Sequence, residues 1–118
     1  MRNAMEAMMI GANGAKRSVG IWQEDMPIMR PTGKPNSRKL RQLVEWQGFR
    51  CALTGDPITP ENCEIDHIVP LSKGGENAME NLQVVLTEVN RAKNTMTQEE
   101  FVEMCCKVAS PNRSSLGQ

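Results

Sequence analysis

The sequence predicts a small α+β domain, and three observations carry that expectation. Two segments, beginning near Asn36 and near Thr97, repeat apolar residues at helical spacing behind a capping residue. Between them lie two short β-prone runs, at 64–70 and 81–86, separated by a glycine-bearing loop. The chain has 118 residues, enough for one domain at roughly 100–200 residues each. Only four residues are aromatic, two Trp and two Phe, so the core rests on Leu, Ile, Val and Met. A core of that size is shallow.

Residues 1–35 hold Gly11, Gly14, Gly20, Pro27, Pro31, Gly33 and Pro35 with little periodicity, which reads as a poorly ordered extension that orders only on binding. A helix is expected from Asn36-Ser37, with Leu40, Leu43, Val44 and Gln47 on one face and Gly48 to end it. Thr54-Gly55-Asp56-Pro57 marks a turn. Glu64–Pro70 reads as a strand that the proline stops, Leu71–Asn77 as a loop, and Asn81–Leu86 as a second short strand. Thr87 is placed to cap a short helix over 88–94. Thr97-Gln98-Glu99-Glu100 is a capping box, and Phe101, Met104, Cys105 and Val108 form the apolar face of the helix behind it, which Pro111 should close. The expected organisation is an extension over 1–35, a domain over 36–110 with its chemistry in 51–94, and a tail over 111–118.

No run approaches the ~20 apolar residues of a membrane span. The first ten residues, interrupted by Glu6, lack the apolar stretch of a secretory signal, so a cytoplasmic address is the expectation. The formal net charge is zero but unevenly spread: residues 1–50 carry nine Lys/Arg against four acids, and residues 51–110 four against ten. Arg30, Lys34, Arg38, Lys39 and Arg41 fall in one window without an acid. A basic arm beside an acidic module suits a protein that grips a polyanion with one part and a cation with the other, although a solvated flexible segment has the same composition. The four cysteines, Cys51, Cys63, Cys105 and Cys106, form no C-x-x-C pair. Reduced thiols are therefore expected, and no structural zinc, whose ligands usually come in such pairs.

The one histidine, His67, follows Asp66 directly. Asn81 stands fourteen residues later, Asn90 nine beyond that, and Lys93 three further on. Taken singly, each has an ordinary structural explanation: a lone strand His is usually a satisfied structural residue, and N-x-x-K is common on helix surfaces. The order and spacing together are specific. Asp66-His67-Ile68-Val69-Pro70-Leu71-Ser72-Lys73-Gly74-Gly75, then Asn81-Leu82-Gln83, then Asn90-Arg91-Ala92-Lys93 resembles the HNH endonuclease family of ββα-metal nucleases, over about residues 51–93. The resemblance is to small free-standing members of the type found in phages and mobile elements.

That resemblance implies a ββα-metal (His-Me) motif with flanking helices. It implies a metal-dependent DNA endonuclease, nicking or cutting both strands and leaving a 5′-phosphate. Asp66 and Asn90 would be the two protein ligands of one divalent cation, Mg2+ or Mn2+ first, with Ni2+ or Zn2+ admissible. His67 would be the general base, Asn81 the residue that pins the loop behind it through backbone hydrogen bonds, and Lys93 a phosphate-contacting cation. Lys73 and Arg91 would join the basic window as nucleic-acid contacts, with duplex DNA as partner and a homodimer left open.

The chemistry is coherent with those roles. A cation held by one carboxylate and one amide oxygen keeps positions open for water and phosphate oxygens. An imidazole titrates near ~6.5, so it is mostly the neutral base at pH 7. A backbone carbonyl accepting its other ring N–H would fix tautomer and aim. Glu64 shares a strand face with Asp66 by period-2 spacing and would reach the metal only through water, or else simply face solvent. Strict alternation sends Asp66 and His67 to opposite faces, so a bend near Pro70 is needed for them to converge. Without zinc, the 40–46 and 101–108 helices, or dimerisation, should support the motif. Two rival readings remain: a non-catalytic DNA-binding module of the same fold, and an RNA-directed nuclease using the same site.

Overall fold

The computed structural model describes residues 28–114. Helix α1 spans Ser37–Trp46, strand β1 Cys63–His67, strand β2 Leu82–Leu86, helix α2 Thr87–Lys93 and helix α3 Gln98–Asn112; two 3-10 turns, Leu71–Lys73 and Met79–Asn81, lie between the strands. Among the described residues no helix is long and apolar enough to cross a membrane.

Helix α1 starts where Asn36, in extended conformation, accepts the Lys39 backbone N–H on its side chain at 2.8 Å. Its inner face buries Leu43 and Val44 completely. Gly48 ends it at φ +67°, a left-handed conformation that suits glycine, and Phe49 follows at φ +60°. The last turn also serves the sheet. Gln47 takes the Val84 N–H on Oε1 and gives Nε2 to the Val84 carbonyl, both at 2.9 Å. The side chain thus satisfies the edge of β2 that β1 leaves unpaired.

Strands β1 and β2 are antiparallel, with Cys63 opposite Leu86, Asp66 opposite Gln83 and His67 opposite Leu82. All five β2 residues are buried. The core gathers Leu43, Val44, Cys51, Ile58, Cys63, Met79, Leu82, Val84, Val85 and Leu86. Strand β1 ends at His67 rather than running to Pro70. Beyond it the backbone leaves the ladder: the Ile68 N–H goes to the Asn81 carbonyl at 2.8 Å and the Val69 N–H to the Asn81 side chain at 2.9 Å.

Three local expectations differ from the structure. Leu86, not Thr87, is the N-cap of α2 and offers no side-chain cap; the Thr87 N–H is satisfied by the Asn62 carbonyl at 2.8 Å. Pro111 lies inside α3, in its last turn, where the Asn112 side chain donates to the Val108 carbonyl at 2.8 Å. The capping box at Thr97 and Glu100 is formed in both directions. Yet α3 buries only Phe101, and Met104, Cys105 and Val108 stand exposed. Support for the sheet therefore comes from α2, which packs on both strands, and from α1 against β2, and not from the body of α3.

Residues 1–27 of the expected extension lie outside the described residues. Residues 28–35 are held against the domain. Arg30 donates to the carbonyls of Leu82 (2.7 Å) and Met79 (3.3 Å) and lies 4.8 Å from the Trp46 ring centroid. The Gly33 carbonyl accepts the Met79 N–H at 2.8 Å, and its N–H donates to Glu80. These contacts pull the Glu80 carboxyl below its usual range, through backbone hydrogen bonds first and the nearby Lys39 and Arg30 charges after.

Candidate active site

Strand β1 turns Glu64 and Asp66 toward α2, where Asn90 and Lys93, one helical turn apart, meet them. Asn90 Nδ2 donates to Glu64 Oε1 at 2.7 Å. Lys93 Nζ reaches both Asp66 oxygens at 3.2 Å and donates to the His67 carbonyl at 2.9 Å. Gln83, opposite Asp66 in the ladder, completes that carboxylate with a 2.9 Å bond from Nε2 to Oδ2. Lys93 is 0% exposed and Asp66 5%. Two charges this deeply withdrawn from water persist because they neutralise each other and because Gln83 and the His67 carbonyl supply further hydrogen bonds.

The role expected for Lys93 is therefore corrected. A buried ammonium committed to Asp66 and to the His67 carbonyl is not available to a phosphate. The spacing placed Lys93 and Asn90 on one helix face; that face looks into the protein at Lys93. Arg91 is the cation left outside, 75% exposed, with Nη2 3.6 Å from Glu64 Oε2.

The His67 ring meets the loop between the strands, whereas Asp66 meets α2 and Gln83. Its Nε2 lies 3.2 Å from Asn77 Oδ1. A side-chain amide from the loop thus stands where a backbone carbonyl was expected. In the tautomer in which Nε2 carries the proton, it donates to Asn77 and leaves Nδ1 as the proton acceptor.

Asn81 ties down the loop behind the histidine. Its Oδ1 accepts the Val69 N–H, and its Nδ2 donates to the carbonyls of Val69 and Glu76, each bond 2.9 Å long. Gly75 lies so close to this clamp that a Cβ would come within 1.9 Å of the Val69 carbonyl oxygen and 2.9 Å of Asn81 Nδ2. The adjoining Gly74 has φ +89° but open space around it.

The structure thus joins Asp66, Lys93 and the His67 carbonyl at one corner, and Asn90 with Glu64 beside it. Sequence reasoning missed Gln83 and Asn77. Gln83 left a signal, being the only polar residue in Leu82–Leu86; Asn77 left none, since an asparagine in a glycine-rich loop is ordinary.

The basic residues separate into two groups. Arg30 is corrected from a nucleic-acid contact to a half-buried rivet, its guanidinium engaged by the carbonyls of Met79, Glu80 and Leu82 and lying over Trp46. Lys73 is paired with Glu100 at 2.7 Å, a contact that holds the Glu100 carboxyl below its usual range. Lys34 and Arg38 are exposed, while Lys39 and Arg41 are half-buried.

Cys51 and Cys63 are buried thiols, Cys105 and Cys106 exposed ones. Burial, helped by Glu61, Glu64 and Cys51, pushes the Cys63 thiol up to about 11. Burial also raises Cys51, but hydrogen bonds from Thr54, Leu86 and Leu53 outweigh it and bring the net below the ordinary value.

Among the described residues no three His, Cys, Asp or Glu side chains gather into a cage. Two protein oxygen donors, the Asp66 carboxylate and the Asn90 carboxamide, suit a hard divalent cation that keeps most of its water. Asp66 also pairs with the Lys93 ammonium, so a cation there would share this carboxylate with Lys93. The residues present fit such an ion.

A family model described as HNH endonuclease matches residues 51–98. This chain carries an HNH endonuclease domain. In the HNH domain β1, β2 and α2 are the ββα unit, and α1 precedes it. The chain is also 39% identical, over 82 residues and 67% of its length, to a CRISPR-associated endonuclease Cas9 of Corynebacterium diphtheriae. It spans only 8% of the length of that relative.

Proposed function

We propose that the HNH domain hydrolyses phosphodiester bonds in DNA, with Asp66 and Asn90 holding one divalent cation and His67 acting as general base. The observation that carries this reading is the convergence of the Asp66 carboxylate and the backbone of His67 on one buried ammonium, with Asn90 one turn away on the same helix. Mg2+ or Mn2+ is the ion that such oxygen donors favour. When bound, it supplies Lewis-acid stabilisation of the charge that develops on phosphate and leaving oxygens.

The chain's own residues do the rest. Asn77 holds Nε2 of His67, so Nδ1 takes the proton from the attacking water. Asn81 fixes the loop that presents Asn77, and Gly75 lets that loop close. Lys93 holds the His67 main chain and the Asp66 carboxylate in one frame. Arg91, Lys34 and Arg38 are the exposed cations that meet phosphates, and each such contact steepens the salt dependence of binding.

The test is nicking of supercoiled plasmid in Mg2+ or Mn2+. His67→Ala is expected to abolish cleavage while DNA binding, read by mobility shift, persists. Undiminished nicking by that variant overturns the assignment. Parallel assays on single-stranded DNA and RNA establish the substrate class.

A further inference from the structure

The 2.7 Å contact between Asn90 and Glu64 belongs to neither the buried ion pair nor the clamp on the loop. A carboxylate only accepts hydrogen bonds, so the arm of the Asn90 amide that faces Glu64 is the NH2 group. The amide is planar and its oxygen lies on the other arm, so Oδ1 is turned away from Glu64. A flip of the amide would set Oδ1 against a negative oxygen and forfeit a charge-assisted bond. Glu64 is itself engaged on both oxygens, Oε1 by Asn90 and Oε2 by Arg91 at 3.6 Å.

We propose that Glu64 is a positioning residue that selects the amide orientation of Asn90 and so presents Oδ1 as the cation's ligand. The inference rests on the metal site of the preceding section. It assigns to Glu64 a role distinct from that of a ligand. An asparagine without such a partner presents nitrogen or oxygen with nearly equal ease, and only oxygen binds a hard ion. Outer partners that orient metal ligands typically contribute about 10–100-fold in metal affinity.

The experiment titrates MnCl2 into the full chain by calorimetry, comparing the native protein with Glu64→Ala, Glu64→Gln, Asp66→Ala and Asn90→Ala. Thermal melting verifies that each variant is folded. Glu64→Ala is expected to weaken Mn2+ binding about tenfold. Glu64→Gln should fall between the native protein and Glu64→Ala, because its carbonyl oxygen can still accept from Nδ2 but its own NH2 can also turn toward Oδ1, so the orientation is only partly restored. Affinity unchanged in Glu64→Ala overturns the proposal, and so does equal loss in Glu64→Gln and Glu64→Ala, which would make the charge of Glu64 the contribution.

A second readout needs no metal. The Asn90 side-chain NH2 resonances in a 15N–1H spectrum should move on Glu64→Ala and return toward their native positions in Glu64→Gln. If those shifts behave so but Asp66→Ala and Asn90→Ala leave Mn2+ binding intact, the metal-site reading fails while the orienting contact stands. If Mn2+ binding depends on Asp66 and Asn90 but not on Glu64, the proposal fails alone.

Discussion

At the scale of single residues the most informative pair is Lys93 and Asp66. Their separation of 27 positions in sequence carries no hint that the lysine is interior. An N-x-x-K spacing fixes which helix face two residues share, not whether the face looks at solvent. Asp66, Asn81 and Asn90 were legible as a motif because their types and order match a known pattern, and the loop-pinning bonds of Asn81 are present; the destination of Lys93 was not legible, because burial of a charge depends on a partner that only the tertiary structure supplies. The two roles predict different results. Lys93→Met leaves the Asp66 carboxylate buried and unpaired, so a loss of about 3–5 kcal/mol in unfolding free energy is expected from urea titration. A phosphate contact would instead leave stability unchanged and weaken DNA binding alone.

At the scale of elements, the caps and strands were readable because their signals are local. Asn36, the Thr97 capping box and the apolar run at 82–86 each act within a few residues. The end of β1 was not readable. Pro70 is the obvious breaker, yet the strand ends at His67, because Asn81 captures the next two backbone N–H groups from twelve or more residues away. The amphipathic spacing of α3 likewise suggested a packed face, but only Phe101 finds a partner surface. The loop offers a paired comparison. Gly75→Ala drives a methyl into the Val69 carbonyl, a backbone obstacle that cannot rotate aside, and should cost about 1–3 kcal/mol. Gly74→Ala meets no atom and incurs only the left-handed backbone penalty, about 1–2 kcal/mol. Chemical denaturation of the two variants should rank Gly75→Ala lower. Because Asn81 is part of the obstacle, Gly75→Ala should also depress nicking, whereas Gly74→Ala should leave it nearer native.

At the scale of the whole molecule, the fold class was legible because two helical and two extended signals exceed what one small core needs. The docking of residues 28–35 was not, since Arg30 is fastened by main-chain carbonyls some fifty positions away and no sequence pattern announces such a grip. The partition of thiols between interior and surface gives a global probe of the native state. Iodoacetamide applied to the folded protein should add two groups, at Cys105 and Cys106, read by intact-mass spectrometry. In denaturant it should add four, because Cys51 and Cys63 then lose the burial that shields both and holds the Cys63 thiol near 11.

Strand β2 hands its chain to α2 with no residue between Leu86 and Thr87. That direct splice behaves as an indexing stop. Each residue inserted there would swing the helix by about 100°, carrying Asn90 away from Glu64 and Lys93 away from Asp66 in a single stroke. Tolerance to length change must accordingly be sought at other joints of the chain, while this one keeps time for the rest.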